Sequence, residues 1–440
     1  MASHPFAVPN FRAYWVARLA ATLGQMAMVI VIGWQVYDLA RKTMSVKEAS
    51  FQLGLIGVAQ FLPLLVLSLF AGWVADRIDR RWIARASVSL EAFCALSLAW
   101  LTYSHTIGLT SLFGIAALLG VARAFASPAL GALAPNLVPK AILPTAIALS
   151  SLAWQAGTVI GPAMGGYLYA AADWLAYAVA SGLFLLSLLM LMLISPVPRP
   201  ARKFVGSPWA QMIDGLHYVR GNRLVLGAIS LDLFAVLLGG ATAMLPVYAR
   251  DILLVGSAGL GHLRAAPALG AVVTAIFFSW RPLRTEVGKK MLTAVGIFGV
   301  ATVVFGLSAP LLLPALGPGA VGSDFAPAVL LSLVALFVLG AADMVSVYVR
   351  QSLIQLYTPD EMRGRVGAVS TLFVSGSNEL GEAESGFLAA LIGPVAAVVG
   401  GGVGAVLVTV IWAKLFPELR RARTFDPPAN LEIPPKEMTT

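Results

Sequence analysis

The 440-residue chain is predicted to be an all-α polytopic membrane protein, with twelve transmembrane helices forming two pseudo-twofold-related six-helix bundles. Three observations predict this. Hydrophobic residues make up 59% of the chain and charged residues only 12%, with a mean hydropathy of +0.85; a soluble domain carries about twice that charge. Apolar runs near the roughly 20 residues that cross a bilayer as a helix recur along the whole length. The second half also repeats the first.

The runs lie at approximately 13–37, 51–75, 83–103, 110–131, 145–170, 174–195, 224–248, 262–280, 291–309, 326–349, 366–390 and 394–415. Pro and Gly inside them are tolerated because neighbouring helices re-satisfy the backbone. The longest polar segment, 196–223, opens with Pro196, Pro198 and Pro200. Trp209, Met212, Ile213, Leu216 and Val219 then recur at helical spacing, which predicts an amphipathic helix on the membrane surface. The chain therefore divides into a bundle at 1–195, this linker at 196–223, a second bundle at 224–415 and a Pro-rich tail at 416–440. Lys and Arg set the orientation. About 23 of them fall on the side shared by the two termini and about 5 on the other, which predicts cytoplasmic termini. One cysteine, Cys94, excludes a disulfide framework.

The repeat has a constant offset of 220 residues. It pairs Gly120 with Gly340, Pro139 with Pro359, Ser150 with Ser370, Gly161 with Gly381 and Gly166 with Gly386. Parallel six-span repeats are the pattern of major facilitator transporters, whose substrate lies between the halves. The offset also sets Arg123 opposite Asp343, two opposite charges at matching depth and a candidate buried ion pair.

Between spans 2 and 3 stands Gly72-Trp-Val-Ala-Asp76-Arg77-Ile-Asp79-Arg80-Arg81. It resembles the major facilitator loop signature, with Asp79 where that family commonly has Gly, a change that leaves the tight turn open. The resemblance makes Gly72, Asp76, Arg77, Arg80 and Arg81 a conformational latch. Span 5 holds Gly157-Thr-Val-Ile-Gly161-Pro162-Ala-Met-Gly165-Gly166, and Gly157, Gly161 and Gly165 share one helix face, which allows close backbone contact. This motif resembles the signature of major facilitator antiporters, and so implies export.

The counterpart of that motif in span 11 is Asn378-Glu379-Leu-Gly381-Glu382-Ala-Glu384. Glu379 and Glu382 lie about 60° apart around a helix, while Glu384 points elsewhere. Acids within a membrane span are expensive and mark substrate or ion paths. Glu379, Glu382, Asp232, Asp343 and Arg123 are accordingly the proton-coupling candidates. The alternative for the glutamates is structural pairing with cations. The segments ISLDLFAVLLGG, LPVYARDILLVGSAGLGHLRAAPALGA and SGSNELGEAESGFLAALIGP resemble the siderophore-exporter and drug-efflux branch of the superfamily. By that resemblance spans 1, 4, 7 and 10 line the cavity, with Gln25, Arg123, Asp232, Phe234, Asp343 and Asn378 as cavity candidates.

Gly317-Pro-Gly319-Ala-Val-Gly322 follows no strand and is no nucleotide site; His4, His105, His217 and His262 have no metal spacing. No Walker loop or nucleophile motif appears, so an enzyme is not expected. The expectation is a proton-coupled secondary exporter working by alternating access, monomeric in a bacterial inner membrane. It would move a small siderophore or amphipathic drug-like molecule, with no cofactor, the proton gradient as energy source, no metal and no nucleic-acid partner. The alternatives are an uptake symporter for a polar metabolite and a lipid flippase.

Overall fold

The computed structural model describes residues 4–139, 142–196 and 208–425. The side chains of Asp76, Arg77, Trp209 and Glu379, and the surroundings of Gly72, lie outside what is described.

The first bundle contains α1 (Pro9–Ala40), α2 (Val46–Arg77), α3 (Arg80–Tyr103), α4 (Leu109–Leu137), α5 (Leu143–Ala171) and α6 (Leu175–Met192). A linker helix, α7 (Pro208–Gly221), precedes α8 (Arg223–Leu238). The path of α8 continues through a 3₁₀ turn (Ala241–Met244), α9 (Leu245–Val247) and a π turn (Tyr248–Ile252). The rest of the second bundle is α10 (Gly256–Trp280), α11 (Val287–Leu316), α12 (Pro327–Tyr357), α13 (Asp360–Ile392) and α14 (Pro394–Leu415), followed by the short α15 (Pro417–Arg421). Ten segments among the described residues are long and apolar enough to cross a membrane. Helices α5 and α13 complete the twelve; they are as long but more polar, through Ser, Thr, Gln and Gly in α5 and the glutamates in α13.

Local signals fix the helix ends. Ser45 caps α2 in a reciprocal box with Glu48, and Asn222 accepts from the Val225 amide at the start of α8. Pro opens α1, α12 and α14, where its missing N–H costs nothing. Gly393, at φ 94°, makes the tight α13–α14 turn. Asp79 has an extended backbone (φ −60°, ψ 119°) and caps α3 by accepting from the Arg81 amide at 3.0 Å. The turn therefore needs no glycine at that position.

The break after Leu238 was not visible as a break in the sequence reading, which ran span 7 unbroken to 248. Gly239 and Gly240 loosen the helix, and Pro246 forbids the bond to the carbonyl four residues before it. That carbonyl belongs to Thr242 and instead accepts from Arg264 Nη1 at 3.3 Å.

The repeat is reproduced in the packing, pair by pair. In the first bundle α1 packs on α5 and α6, α2 on α4, and α3 on α4 and α6. In the second, α8 packs on α13 and α14, α10 on α12, and α11 on α12 and α14. The halves meet through α2 against α13 and α5 against α10, which exchange under the pseudo-twofold. The aligned glycines perform matching jobs. Gly120 abuts the Gln60 carbonyl of α2, and Gly340 abuts the Pro267 carbonyl of α10. Gly161 meets α1 at Leu23 and Met26, and Gly381 meets α8 at Val236 and Leu237. Gly166 crosses to Gly261 of α10, and Gly386 crosses to Gly54 of α2.

Helix α7 docks on the ends of α12 and α13. Tyr218 donates to the Tyr357 carbonyl at 2.6 Å, Arg365 pairs with Asp214 at 3.0 Å, and Val219 is buried against Val366 and Val369. Ile213 and Leu216 stay exposed along the other edge of the same apolar stripe, so the bundle covers only part of that face.

A β-carbon at Gly161 would stand 2.7 Å from Met26 Cβ and 2.9 Å from the Leu23 carbonyl, whereas Gly182 has nothing within 4 Å. Gly161→Leu should therefore cost at least about 1–3 kcal/mol of overpacking and lower the melting temperature in detergent. Gly182→Ala should leave it unchanged; equal melting curves for the two variants would refute the packing role.

Candidate functional site

Among the described residues, three places inside the bundles bring charged side chains together. The first is buried within the second bundle. Asp232 of α8 and Arg350 of α12 form an ion pair of 2.7 Å, their side chains 4% and 2% exposed. Asp343 lies two turns before Arg350 on the same helix face. It is in electrostatic reach of both, and it shares a small pocket with Asp232, Ser346 and Phe298. Removing three charges from water is sustained only by their mutual pairing.

This arrangement corrects the sequence expectation that Arg123 pairs with Asp343. The cation that serves the acids of the second bundle is Arg350. It was read as a loop residue because span 10 was ended at 349, whereas α12 runs on to Tyr357. Arg123 and Asp343 occupy equivalent positions, but each faces the interior of its own bundle.

Phe234 is also corrected as a cavity residue. Two positions after the inward-facing Asp232, it points about 160° away, and its ring rests on Trp412 of α14 at 5.1 Å between centroids.

The second place is the interior of the first bundle. Gln25 of α1, Gln60 of α2, Glu91 of α3 and Arg123 of α4 line one small cavity, roofed by Met28 and Phe184. Glu91 is 2% exposed. The sequence reading passed over it, although a single acid in the apolar run SVSLEAFCALSL was the signal.

The third place lies between the halves. Glu382 of α13 faces Arg264 of α10 at 3.8 Å. They line a cavity with Gly33 of α1, Gln60 of α2 and Thr242 of the broken span. Their side chains are 34% and 21% exposed, so this pair is accessible where the Asp232 pair is not. Arg264 falls at the start of the run 262–280 but is not among the site residues expected from the sequence. Gln60 stands in the walls of both the second and the third site, which places the two cavities back to back. Glu384 sits beside Ser385 and Asn378 is exposed, outside this cavity; the Glu379 side chain lies outside the described residues.

The latch candidates divide. Arg81 forms a 2.6 Å pair with Asp79 and donates to the Ile194 carbonyl at 3.2 Å, tying α3 to the end of α6 within one bundle. A cation there also meets the negative end of the α6 dipole. Arg80 is half-buried beside it, and Gly72, Asp76 and Arg77 fall where side chains are not described. The antiporter-motif residues Gly157, Gly161 and Gly165 all face α1 between Thr22 and Ala27, with Pro162 inside α5 and Gly166 turned to α10.

Polar pairs joining the two halves among the described residues gather at the end remote from the termini. Arg41 pairs with Asp251 at 3.1 Å, and Tyr37 donates to the same carboxylate at 2.5 Å. Arg250 pairs with Asp38 at 3.2 Å. Tyr167 bonds His262, which meets Asp324 at 3.3 Å, and Lys47 donates to the Leu391 carbonyl at 3.0 Å.

Comparison with known proteins adds three findings. A family described as "Transmembrane secretion effector" matches residues 1–439. An enterobactin exporter of Escherichia coli O127:H6 (strain E2348/69 / EPEC) is 28% identical over 430 residues, covering 95% of this chain and 94% of the relative. An enterobactin exporter of Shigella boydii serotype 18 (strain CDC 3083-94 / BS512) is 28% identical over 428 residues with the same coverage. Among solved structures, a D-xylose-proton symporter superposes with a TM-score of 0.67 at 15% identity, covering 95% of this chain and 99% of its own. A bacterial homolog to the human lysosomal transporter Spinster, inward-facing and unoccupied, gives 0.66 at 15% identity, covering 96% and 98%. These two likenesses establish the fold.

Because Arg350 faces two acids, Arg350→Met should destabilise the protein by about 3–5 kcal/mol. Asp232→Asn should cost less, since Arg350 keeps Asp343 within reach. Thermal melts of both variants in detergent test this, and a milder effect for Arg350→Met would overturn the assignment.

Proposed function

The chain belongs to the transmembrane secretion effector family of major facilitator transporters, and from that premise we propose that it is a proton-coupled exporter. Its cargo is a small organic molecule of the siderophore or amphipathic drug-like class, moved out of the cytoplasm by alternating access. The bundles at 1–195 and 224–415 rock about their shared interface, with both termini cytoplasmic in a bacterial inner membrane. The transporter works as a monomer, without cofactor, on the proton gradient.

The observation that carries this reading is the placement of Glu382. It is an accessible acid in a cavity bounded by both halves, where relative motion of the halves changes its surroundings most. Glu382 faces Arg264 at 3.8 Å, so a charged carboxylate there is drawn to a cation. Protonation removes that attraction and weakens a contact beside the interface, while deprotonation restores it. A proton on this acid is therefore coupled to the geometry of the cavity. Gln60 links this cavity to the one holding Glu91 and Arg123, so cargo or a proton entering between the halves meets both. Acids and cations together suit an anionic aromatic cargo or an amphipathic one. The antiporter-type glycine face of α5 and the enterobactin exporters among the relatives favour outward movement.

Inverted membrane vesicles under a series of imposed pH gradients test the proposal, with a catecholate siderophore and a lipophilic cationic dye as cargo. Wild-type protein should accumulate one of them in proportion to the gradient. Glu382→Gln should lower gradient-driven accumulation by about tenfold or more while the protein stays folded. Glu379→Gln and Glu91→Gln, made singly, show whether either shares the role. Accumulation that ignores the gradient, with Glu382→Gln behaving as wild type, would leave these acids structural and the proton-coupling proposal refuted.

A further inference from the structure

One sizeable cavity lies away from all of the charged sites. It is a groove of about 760 Å³ on the outer side of the second bundle, between α11, α12 and α14. Its walls run from Leu292 to Val304 on α11, from Leu331 to Val338 on α12 and from Val406 to Lys414 on α14, with Arg420 beyond the last. The floor is shallow at Gly296, which has nothing nearer than Thr409 Cγ2 at 3.9 Å. Val300 and Val410 are 55% and 51% exposed, so none of the described residues fills the groove.

Its dimensions and chemistry specify an occupant. Leu292 to Val304 is twelve residues of helix, roughly 18 Å at 1.5 Å per residue. One leaflet of hydrocarbon is about 15 Å deep, half of a bilayer core near 30 Å. The groove thus covers one leaflet along α11 and continues along α12 to Leu331, whose neighbour Ser332 meets Ser308 at 2.8 Å, so it is deep enough for a whole acyl chain. Both cations stand at the surface end of the groove, where a lipid phosphate lies. Among the described residues neither forms an ion pair, whereas the neighbouring Arg223 is paired with Glu418 at 2.8 Å.

We propose that this groove binds one anionic phospholipid from the leaflet at the terminal end, its chain along α11 and its phosphate between Lys414 and Arg420. The site is separate from the cavity between the halves and does not depend on what that cavity transports. Bound there, the lipid joins α14 and α15 to the middle of α11 and α12.

Native mass spectrometry of the full-length protein in detergent tests this, by titration with phosphatidylglycerol and with phosphatidylcholine of identical chains. Wild-type protein should retain one phosphatidylglycerol about tenfold more tightly than phosphatidylcholine, as two interfacial cations imply. The double variant Lys414→Gln/Arg420→Gln should lose that preference and still take phosphatidylcholine. Gly296→Trp should weaken both lipids; Val300→Trp serves the same purpose should the first fail to fold. Arg281→Gln/Arg284→Gln, which removes two exposed cations at the same end but outside the groove, should leave the preference intact. Equal affinity for the two lipids, a preference that survives in the Lys414/Arg420 variant, or an equal loss in the Arg281/Arg284 variant would overturn the site. So would a dimer that excludes lipid from the groove.

Discussion

Backbone-to-backbone contact through glycine is the constraint on which the architecture depends. Gly157, Gly161 and Gly165 let α5 lie directly on α1, and Gly166 on the same helix touches α10 of the other half. Gly381 and Gly386 repeat the arrangement from α13 to α8 and α2. Within a bilayer apolar side chains gain little by leaving lipid for protein, so helices are held chiefly by close van der Waals packing. One helix in each half thus bonds its own bundle on one face and the opposite bundle on another. Any shift of the halves must be accommodated along these two seams.

Charge is distributed to suit that scheme. The Asp232–Arg350 pair is sealed inside one bundle and belongs to its interior architecture. Glu91 and Arg123 occupy the interior of the other bundle but face a cavity. Glu382 and Arg264 stand at the seam itself, partly accessible and at 3.8 Å. Glu91 and the Asp232–Arg350 pair inside the bundles are thus equally buried, and Glu382 and Arg264 between the halves are partly exposed, a gradient of accessibility from the middle of each bundle to the plane between them. A carboxylate that must gain and lose a proton during a cycle belongs at the accessible end of that gradient.

Much of this was legible in the sequence. Composition and apolar run length predicted twelve helices, and the offset of 220 residues paired glycines that turn out to do matching jobs, Gly166 against α10 and Gly386 against α2, because glycine is required wherever backbones touch. Side-chain partners were harder to read. A hydropathy run shows where a span is apolar, not where its helix stops, so Arg350 falls just outside the run 326–349 although it lies well within α12. Glu91 was overlooked because its apolar neighbours outweigh one acid in any window average. The expected Arg123–Asp343 pair failed for a geometric reason: symmetry matches two positions in sequence without bringing them together. Pro246 was visible, but its effect on α8 needed the Thr242 carbonyl and its new partner in Arg264.

The ion pairs remote from the termini have a further consequence. The end of α1 contributes Asp38 and Arg41, and the chain after α9 contributes Arg250 and Asp251, so each side of the clasp carries one charge of each sign. Each side is electrically neutral as a unit. The attraction between the two is then that of facing dipoles, which falls away with distance far faster than the attraction of two net charges. Such a clasp resembles a magnetic cupboard catch more than a spring: firm when the faces touch, almost without pull once they part. The separated faces also need no counter-ions, since Asp38 and Arg41 sit three residues apart on one helix, a spacing at which opposite charges neighbour each other.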